Sequence, residues 1–414
     1  MAELSILHVV PRWHSGGAAP SILIESESRS ASGLIHRVIS LERGGSTALL
    51  RRALKARLRV TLAPSIQDEV DLVERADVVV VHYWNTPSMW SFLQRWRRKA
   101  QRWILYVRVN GLHAPQRVPT QLLDSVSHVV LTSPDLRDQI TRSKCDLVSA
   151  PIRLPVLPLS VARNPPRRII HAGTLNVFKL PPTFIELHAD IANATAPMQV
   201  AGAGGDEVRW QTRAIDLGIA DQFEWAGFRE NLIEELPEFA VFSAPTAPFT
   251  YASGDRAIQE AQVCGVPVVA FKHAPISHLI EHGETGWLVE DDADFRDHLK
   301  RTINGELEIP RERVRVAALL AHNPDRKFAR LSEIYRETRS SPRTAIDPGF
   351  DTVADWVAFQ TEGIDFTPGS RHPSLDQLAC DRGLSAAHQA WGCEGGIAQF
   401  ANAFPDANLR DVLG

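Results

Sequence analysis

Short, nearly continuous apolar runs alternate with longer amphipathic stretches through the first 150 or so residues. The runs are Leu4–Val10, His36–Leu41, Leu58–Ala63, Asp77–His82, Trp103–Val109 and His128–Thr132. A strand with one solvated face alternates apolar and polar positions, whereas a parallel strand covered on both faces reads as a Val/Ile/Leu block. Residues 1–155 are therefore expected to form a doubly wound α/β, Rossmann-like domain. A proline-punctuated, charge-poor stretch follows from Pro151 to Pro166 and reads as a linker. A second series then begins: Arg168–Ala172, Met198–Gly202, Phe223–Trp225, Val241–Ala244, Val266–Phe271 and Trp287–Val289. It predicts a second Rossmann-like domain over 168–335, closed by a helix from Phe328 to Arg339. Beyond Ser340 the pattern turns helix-like and loses strong strands, so 341–414 is expected to be a small helical appendage.

Composition narrows the function classes. The 414 residues carry 45 basic and 49 acidic side chains, a formal charge of -4, which is poor for a general nucleic-acid coat that must displace counterions. The four cysteines are scattered, without a Cys-x-x-Cys pair, which suits reduced thiols in a cytoplasmic setting. The apolar run near the start lacks a basic leader and a small-residue cleavage site, and no run reaches the length of a spanning helix.

Candidate chemistry collects where strands end. Gly16 and Gly17 follow the first strand and precede a helix expected near Pro20 or Ser21; such a turn brings backbone amides and a helix N-terminus toward an anion. Gly111 and His113 follow the fifth run, and His82 ends the fourth, at the edge where open α/β sheets hold ligands. In the second half Gly173 and Thr174 follow the first strand, with Lys179 soon after, in a chain with only seven lysines. Ser253-Gly254-Asp255-Arg256 forms a turn before a short small-residue helix carrying Glu260.

The segment from Ser91 to Trp103 mixes bases and aromatics; its commoner meaning is an ordinary helix covering the first sheet, and as a helix it is also compatible with peripheral contact on an anionic membrane. Asp291 to Asp294 reads as a solvated acidic cap rather than a metal site. Ser374 to Trp391 has a helix-turn-helix-like spacing, but its mixed charge favours a lid or an oligomer contact.

The order from Ala257 to Glu290, a helix with Glu260, Cys264-Gly265, the strand Val266–Ala270 and the turn Gly283-Glu-Thr-Gly286, resembles the donor half of the retaining GT-B glycosyltransferases, glycosyltransferase family four. Met198 to Pro245 resembles the same family in its succession of strand, Gly202-x-Gly204 turn, helix, short strand and Gly227-Phe228-Arg229 loop. The resemblance implies two Rossmann-like domains facing a cleft, with the closing helix crossing back onto the first. It implies transfer of a hexose-type sugar from a nucleotide-diphosphate donor to a hydroxyl acceptor, with retention and with neither metal nor cofactor.

By resemblance, Lys179, His113 and Arg256 are the catalytic candidates. Gly16, Gly17, Gly173, Thr174, Phe228, Arg229, Ser253, Gly254, Asp255 and Glu260 are the donor-binding candidates, Glu260 toward the ribose. Lys179, Arg256 and the helix N-terminus would neutralise the leaving diphosphate. The chain departs from the family at Thr174, where arginine is usual, at Leu180, where glycine is usual, and at Ala252, where the first of two motif glutamates stands. Asp255 or a residue near Tyr251 replaces that glutamate, the donor is unusual, or the site is inactive. A nucleotide-sugar epimerase of the same fold and a catalytically silent partner subunit are the alternative readings.

Overall fold

The computed structural model describes residues 3–360 apart from 15, 29–32, 114–115, 156–166, 177–178, 192–195, 248–249, 352–354 and 356–358. The helix-turn-helix-like stretch, Cys380 and Cys393 lie outside the described residues. The chain forms two compact units, Met1–Pro151 with Asp325–Gly414, and Ile152–Pro324.

Unit 1 is built on β1 (Leu4–Val10), β2 (Leu34–Ser40), β3 (Arg59–Leu62), β4 (Val78–Tyr83), β5 (Ala100–Gln101), β6 (Trp103–Val107), β7 (His128–Leu131) and β8 (Lys144–Leu147). Seven of these make one parallel sheet in the order β3-β2-β1-β4-β6-β7-β8. The six expected runs are all strands, and β8 is additional. Its sequence, Lys-Cys-Asp-Leu, has no apolar block because it is the exposed sheet edge. Five helices connect the strands: α1 (Ala18–Glu27), α2 (Thr47–Lys55), α3 (Ile66–Arg75), α4 (Pro87–Trp96) and α5 (Thr120–Ser125).

Unit 2 carries β9 (Ile169–Ala172), β10 (Met198–Ala201), β11 (Phe223–Gly227), β12 (Val241–Ala244), β13 (Val268–Phe271) and β14 (Gly286–Val289). They form a parallel sheet in the order β11-β10-β9-β12-β13-β14. The order reverses between β10-β9 and β9-β12, which makes the C-terminal end of β9 the switch point of this sheet. Its helices are α6 (Glu207–Asp216), α7 (Leu232–Glu235), α8 (Arg256–Val263), α9 (Asp292–Asn304) and α10 (Arg311–Ala321). Asp291 caps α9, accepting from the Asp294 amide at 2.9 Å, which is the structural use of the acidic run.

The closing helix, α11 (Pro324–Arg339), returns to unit 1, as expected. Its Phe328, Leu331, Ile334 and Tyr335 are buried against Leu4, Ile6, Val78, Val80 and Ile104 of the first sheet. Apolar side chains of this size contribute about 1.5–3 kcal/mol each when fully buried. After α11, Thr344–Ala345 forms a short antiparallel strand, β15, against β5, so the appendage begins with a strand pairing rather than a helix.

The stretch from Ser91 to Trp103 is the sheet-covering helix and the turn after it, which corrects the alternative of membrane contact. Helix α4 ends at Trp96, and Phe92, Leu93 and Trp96 are fully or almost fully buried. Arg95 is paired with the buried Glu69 at 2.6 Å, and Trp96 Nε1 donates to the same carboxylate. The apolar face that would have met lipid is core, because both sides of a doubly wound sheet must be covered. No helix among the described residues is long and apolar enough to cross a membrane.

Candidate functional site

The loop after β9 is shaped by a lysine folding back over a glycine. Asn176, itself fully buried, accepts the Lys179 amide through Oδ1 at 2.9 Å and donates through Nδ2 to the Tyr251 hydroxyl at 3.2 Å. That Asn-x-x-Lys turn sends the Lys179 side chain back toward Gly173, where a Cβ would collide with its ammonium. A Cβ at Gly202 would strike the Gly173 carbonyl, and one at Gly204 the Leu175 carbonyl, so the Gly-x-Gly turn after β10 is required for this close approach.

Lys179 Nζ meets Asp255 Oδ2 at 2.7 Å, with both side chains about nine-tenths buried. Burial works against the ammonium, but Asp255 and then Tyr251 outweigh it and hold the lysine above its ordinary pKa. For Asp255 burial is likewise the opposing influence; the Lys179 charge, its hydrogen bond and the Ala257 amide keep the carboxyl below the usual range. Both partners are therefore charged. His171, in β9, is pushed down to about 4 by burial and then by Lys179, so it is neutral; its Nδ1 donates to the Ser243 carbonyl at 2.9 Å. The other nitrogen, Nε2, is buried without a hydrogen-bond partner among the described residues.

Asp255 also caps α8, accepting from the Ala257 amide at 3.0 Å. One turn along, Arg256 and Glu260 are joined at 2.9 Å across an i,i+4 spacing. Burial raises the Glu260 carboxyl while Arg256 opposes the shift. Helix α8 is held from behind by Gln262, whose amide donates to the Leu279 carbonyl and Thr285 Oγ1, each at 3.0 Å, and whose Oε1 accepts from His322 at 2.7 Å. The Gly283-to-Gly286 turn thus serves to anchor α8, because Thr285 is the residue that receives Gln262.

The sequence-derived candidates separate accordingly. Gly173, Thr174, Lys179, Ser253, Gly254, Asp255, Arg256 and Glu260 gather where β9 ends and α8 begins. Thr174 is exposed, with its side chain hydrogen-bonded to Tyr251. Phe228 and Arg229 instead lie at the end of the edge strand β11, where Phe228 is exposed and Arg229 is paired with Glu235 at 3.2 Å. In unit 1, Gly17 takes φ 66° as the N-cap of α1, which begins at Ala18, earlier than expected. The Gly16 amide donates to His14 Nδ1 at 2.9 Å, so that amide is already in use. Gly111 makes room for Leu136 and Val118, a packing role, and His113 lies in the loop that follows, its carbonyl accepting the Gln116 amide at 3.0 Å. Asn176 and His171 were not singled out from sequence, although the three-residue interval from an asparagine to a lysine is a local signal for such a turn.

Comparison with known proteins bears on the same segment. Residues 166–304, which contain the whole Lys179–Asp255–Glu260 cluster, match the family model described as "Glycosyl transferases group 1". Over these residues, about a third of the chain, it is similar to the group 1 glycosyltransferases. Among curated group 1-like relatives it is 34% identical over 119 residues to the amylovoran biosynthesis glycosyltransferase AmsK of Erwinia amylovora, covering 27% of this chain and 29% of that protein. It is 34% identical over 103 residues to the putative colanic acid biosynthesis glycosyltransferase WcaL of Salmonella typhimurium, covering 23% and 25%. The chain thus matches under a third of the length of these two relatives. Among solved structures, Anabaena Alr3699/HepE in complex with UDP and glucose aligns with a TM-score of 0.62 at 17% identity, over 81% of this chain and all of that one. With two parallel Rossmann-like sheets and this structural likeness, the fold of the chain is GT-B.

Proposed function

We propose that this protein transfers a hexose-type sugar from a nucleotide-diphosphate donor to a hydroxyl acceptor, with retention, in polysaccharide or related glycoconjugate biosynthesis. The observation that carries the reading is the buried Lys179–Asp255 pair, lodged over Gly173 at the switch point of the second sheet and beside the N-terminus of α8. A charged pair costs desolvation that a pair of apolar residues would not. Its retention at a strand end, next to a helix N-terminus, suits a site that must receive an anion.

In this reading Lys179 shifts from Asp255 toward the leaving diphosphate, and its charge, with the α8 N-terminus, stabilises the transition state. Arg256 holds Glu260 in place for the ribose hydroxyls. Asp255 is the acidic group nearest in sequence to Ala252, where the resemblance places a glutamate, and takes over the carboxylate function from the cap of the same helix. The names of the matched relatives, which concern amylovoran and colanic acid biosynthesis, and the UDP and glucose of the structural neighbour support the substrate class.

The test is a thermal-shift panel of nucleoside diphosphates and their sugar conjugates, followed by product analysis with the donor that binds. A ligand at about 100 times its Kd adds roughly 2.7 kcal/mol to the native state, a rise of several degrees. Glu260→Gln is expected to abolish the shift. A glycoside of unchanged anomeric configuration supports the reading, and an isomerised sugar nucleotide would replace it with epimerisation. No shift with any nucleotide would leave a silent subunit.

A further inference from the structure

Between Arg43 and Gln67 the chain carries six basic residues and no acidic one, a local charge of +6 in a protein whose total is -4, leaving -10 for the rest. The center of this run is α2 and the turn into the edge strand β3. Arg43, Arg51, Lys55, Arg57 and Arg59 are exposed. None of the five has an ion-pair partner among the described residues, whereas exposed bases elsewhere commonly do, as in Arg75–Asp71, Arg313–Glu284 and Lys272–Glu290.

Leu54 stands among them, 80% exposed, the most exposed large apolar side chain described. Helix α2 buries Leu49 and Ala53. Leu50 packs partly against the same core, so at helical spacing Leu54 alone projects to solvent, with Arg51 and Lys55 beside it on the arc opposite the buried face. The helix then ends through Arg57 in the left-handed region, φ 57°. The Leu58 amide closes on the Ala53 carbonyl at 2.9 Å, a geometry in which glycine is the unstrained choice. A charge is thus kept at a position where backbone conformation argues against any side chain.

The geometry points to α2 and the start of β3 as a docking surface for an anionic lipid bilayer. Leu54 enters the interface while Arg51, Lys55, Arg57 and Arg59 meet the headgroups, their aliphatic stems flanking the leucine. A soluble polyanion would use the bases but has no use for a solvent-facing leucine. The surface is independent of the donor site, and its test does not read glycosyl transfer.

Full-length protein is mixed with vesicles of phosphatidylcholine alone or of phosphatidylcholine with phosphatidylglycerol, and the bound fraction is measured by flotation. Binding is expected only to the anionic vesicles and is expected to weaken with salt. Arg51→Glu with Lys55→Glu should lower the partition coefficient at least about 30-fold, taking each lost base as roughly fivefold. Leu54→Ser should lower it about tenfold. These side chains are exposed, so unchanged melting temperatures are expected and verify folding. Equal binding to neutral vesicles, or full binding by the charge-reversed variant, overturns the proposal. So does a Leu54→Ser protein that binds like the parent while a soluble polyphosphate competes both off, which would identify a polyanion site.

Discussion

Each unit holds a buried titratable cluster, and the two clusters are kept in opposite charge states. In unit 1, three adjacent strands, β2, β1 and β4, place His36, His8 and His82 in one row: His8 lies 2.9 Å from His36 and 3.0 Å from His82. Arg108 donates to His82 Nδ1 at 3.1–3.2 Å, and arginine has no acceptor, so this one contact sets every tautomer. His82 Nε2 then donates to His8 Nδ1, and His8 Nε2 donates to His36 Nδ1. The last N–H, on His36 Nε2, is buried without a partner among the described residues. Burial depresses all three pKa values, His36 to about 4, so the row is neutral. In unit 2, Lys179 and Asp255 are buried as ions. Neutral groups that hydrogen-bond one another within strands are what a core tolerates. A desolvated ion pair at a strand end, against a glycine and a helix cap, is the arrangement expected of a site that exchanges partners with a ligand.

The sharpest way to break that contrast is to remove the lysine. Lys179→Met is expected to lower kcat by about 100- to 1000-fold. It should also cost roughly 3–5 kcal/mol of stability by stranding Asp255. The double variant Lys179→Met/Asp255→Leu should regain most of the stability and none of the activity, read by denaturant melts beside turnover assays. Recovered activity in the double variant would make the pair structural, like the histidine row.

The converse test is His8→Leu, which leaves the neighbouring imidazoles without their partner. A loss of about 2–3 kcal/mol is expected, with donor affinity unchanged; a loss of donor binding instead would link the row to the site.

The same contrast is sharpened by pH. His8, His36, His82, His171 and His188 all have folded pKa values below the unfolded value of 6.5, with His171 at about 4 and His188 at about 3. The unfolded chain therefore binds more protons, and stability falls as pH drops from about 6.5 toward 4, by roughly 1 kcal/mol per pH unit per histidine. Glu25, raised to about 7 by burial, has the opposite sign: the folded state keeps its proton between 4.5 and 7, offsetting one histidine. Urea melts between about pH 6.5 and 5 should show a net loss, with a shallower slope in His8→Leu. A flat profile would mean that the row is charged rather than neutral.

Much of this was legible along the chain. Each of the twelve expected runs overlaps a strand, because a doubly covered parallel strand must be a block of apolar residues. The edge strand β8 was not legible, because an exposed edge needs no such block. Lys179, Asp255 and Glu260 stood out by their match to the pattern of the resembled family, at positions a strand end and a helix start mark locally. Asn176 did not, and neither did Arg108, whose importance depends on which strands the topology makes neighbours. The aromatic residues Phe92 and Trp96 left both a sheet-covering helix and a lipid-facing stripe open, since periodicity alone does not distinguish a core face from a membrane face; their burial decides for the first.

The order of residues by itself determined two α/β halves, a glycine-framed lysine and a carboxylate-bearing helix, since each rests on patterns a few residues long. Which charges are paired, which histidines are neutral and which leucine faces water was decided only by the tertiary structure. Those properties depend on burial and on distances between residues far apart in sequence, down to the 2.7 Å that joins Lys179 to Asp255.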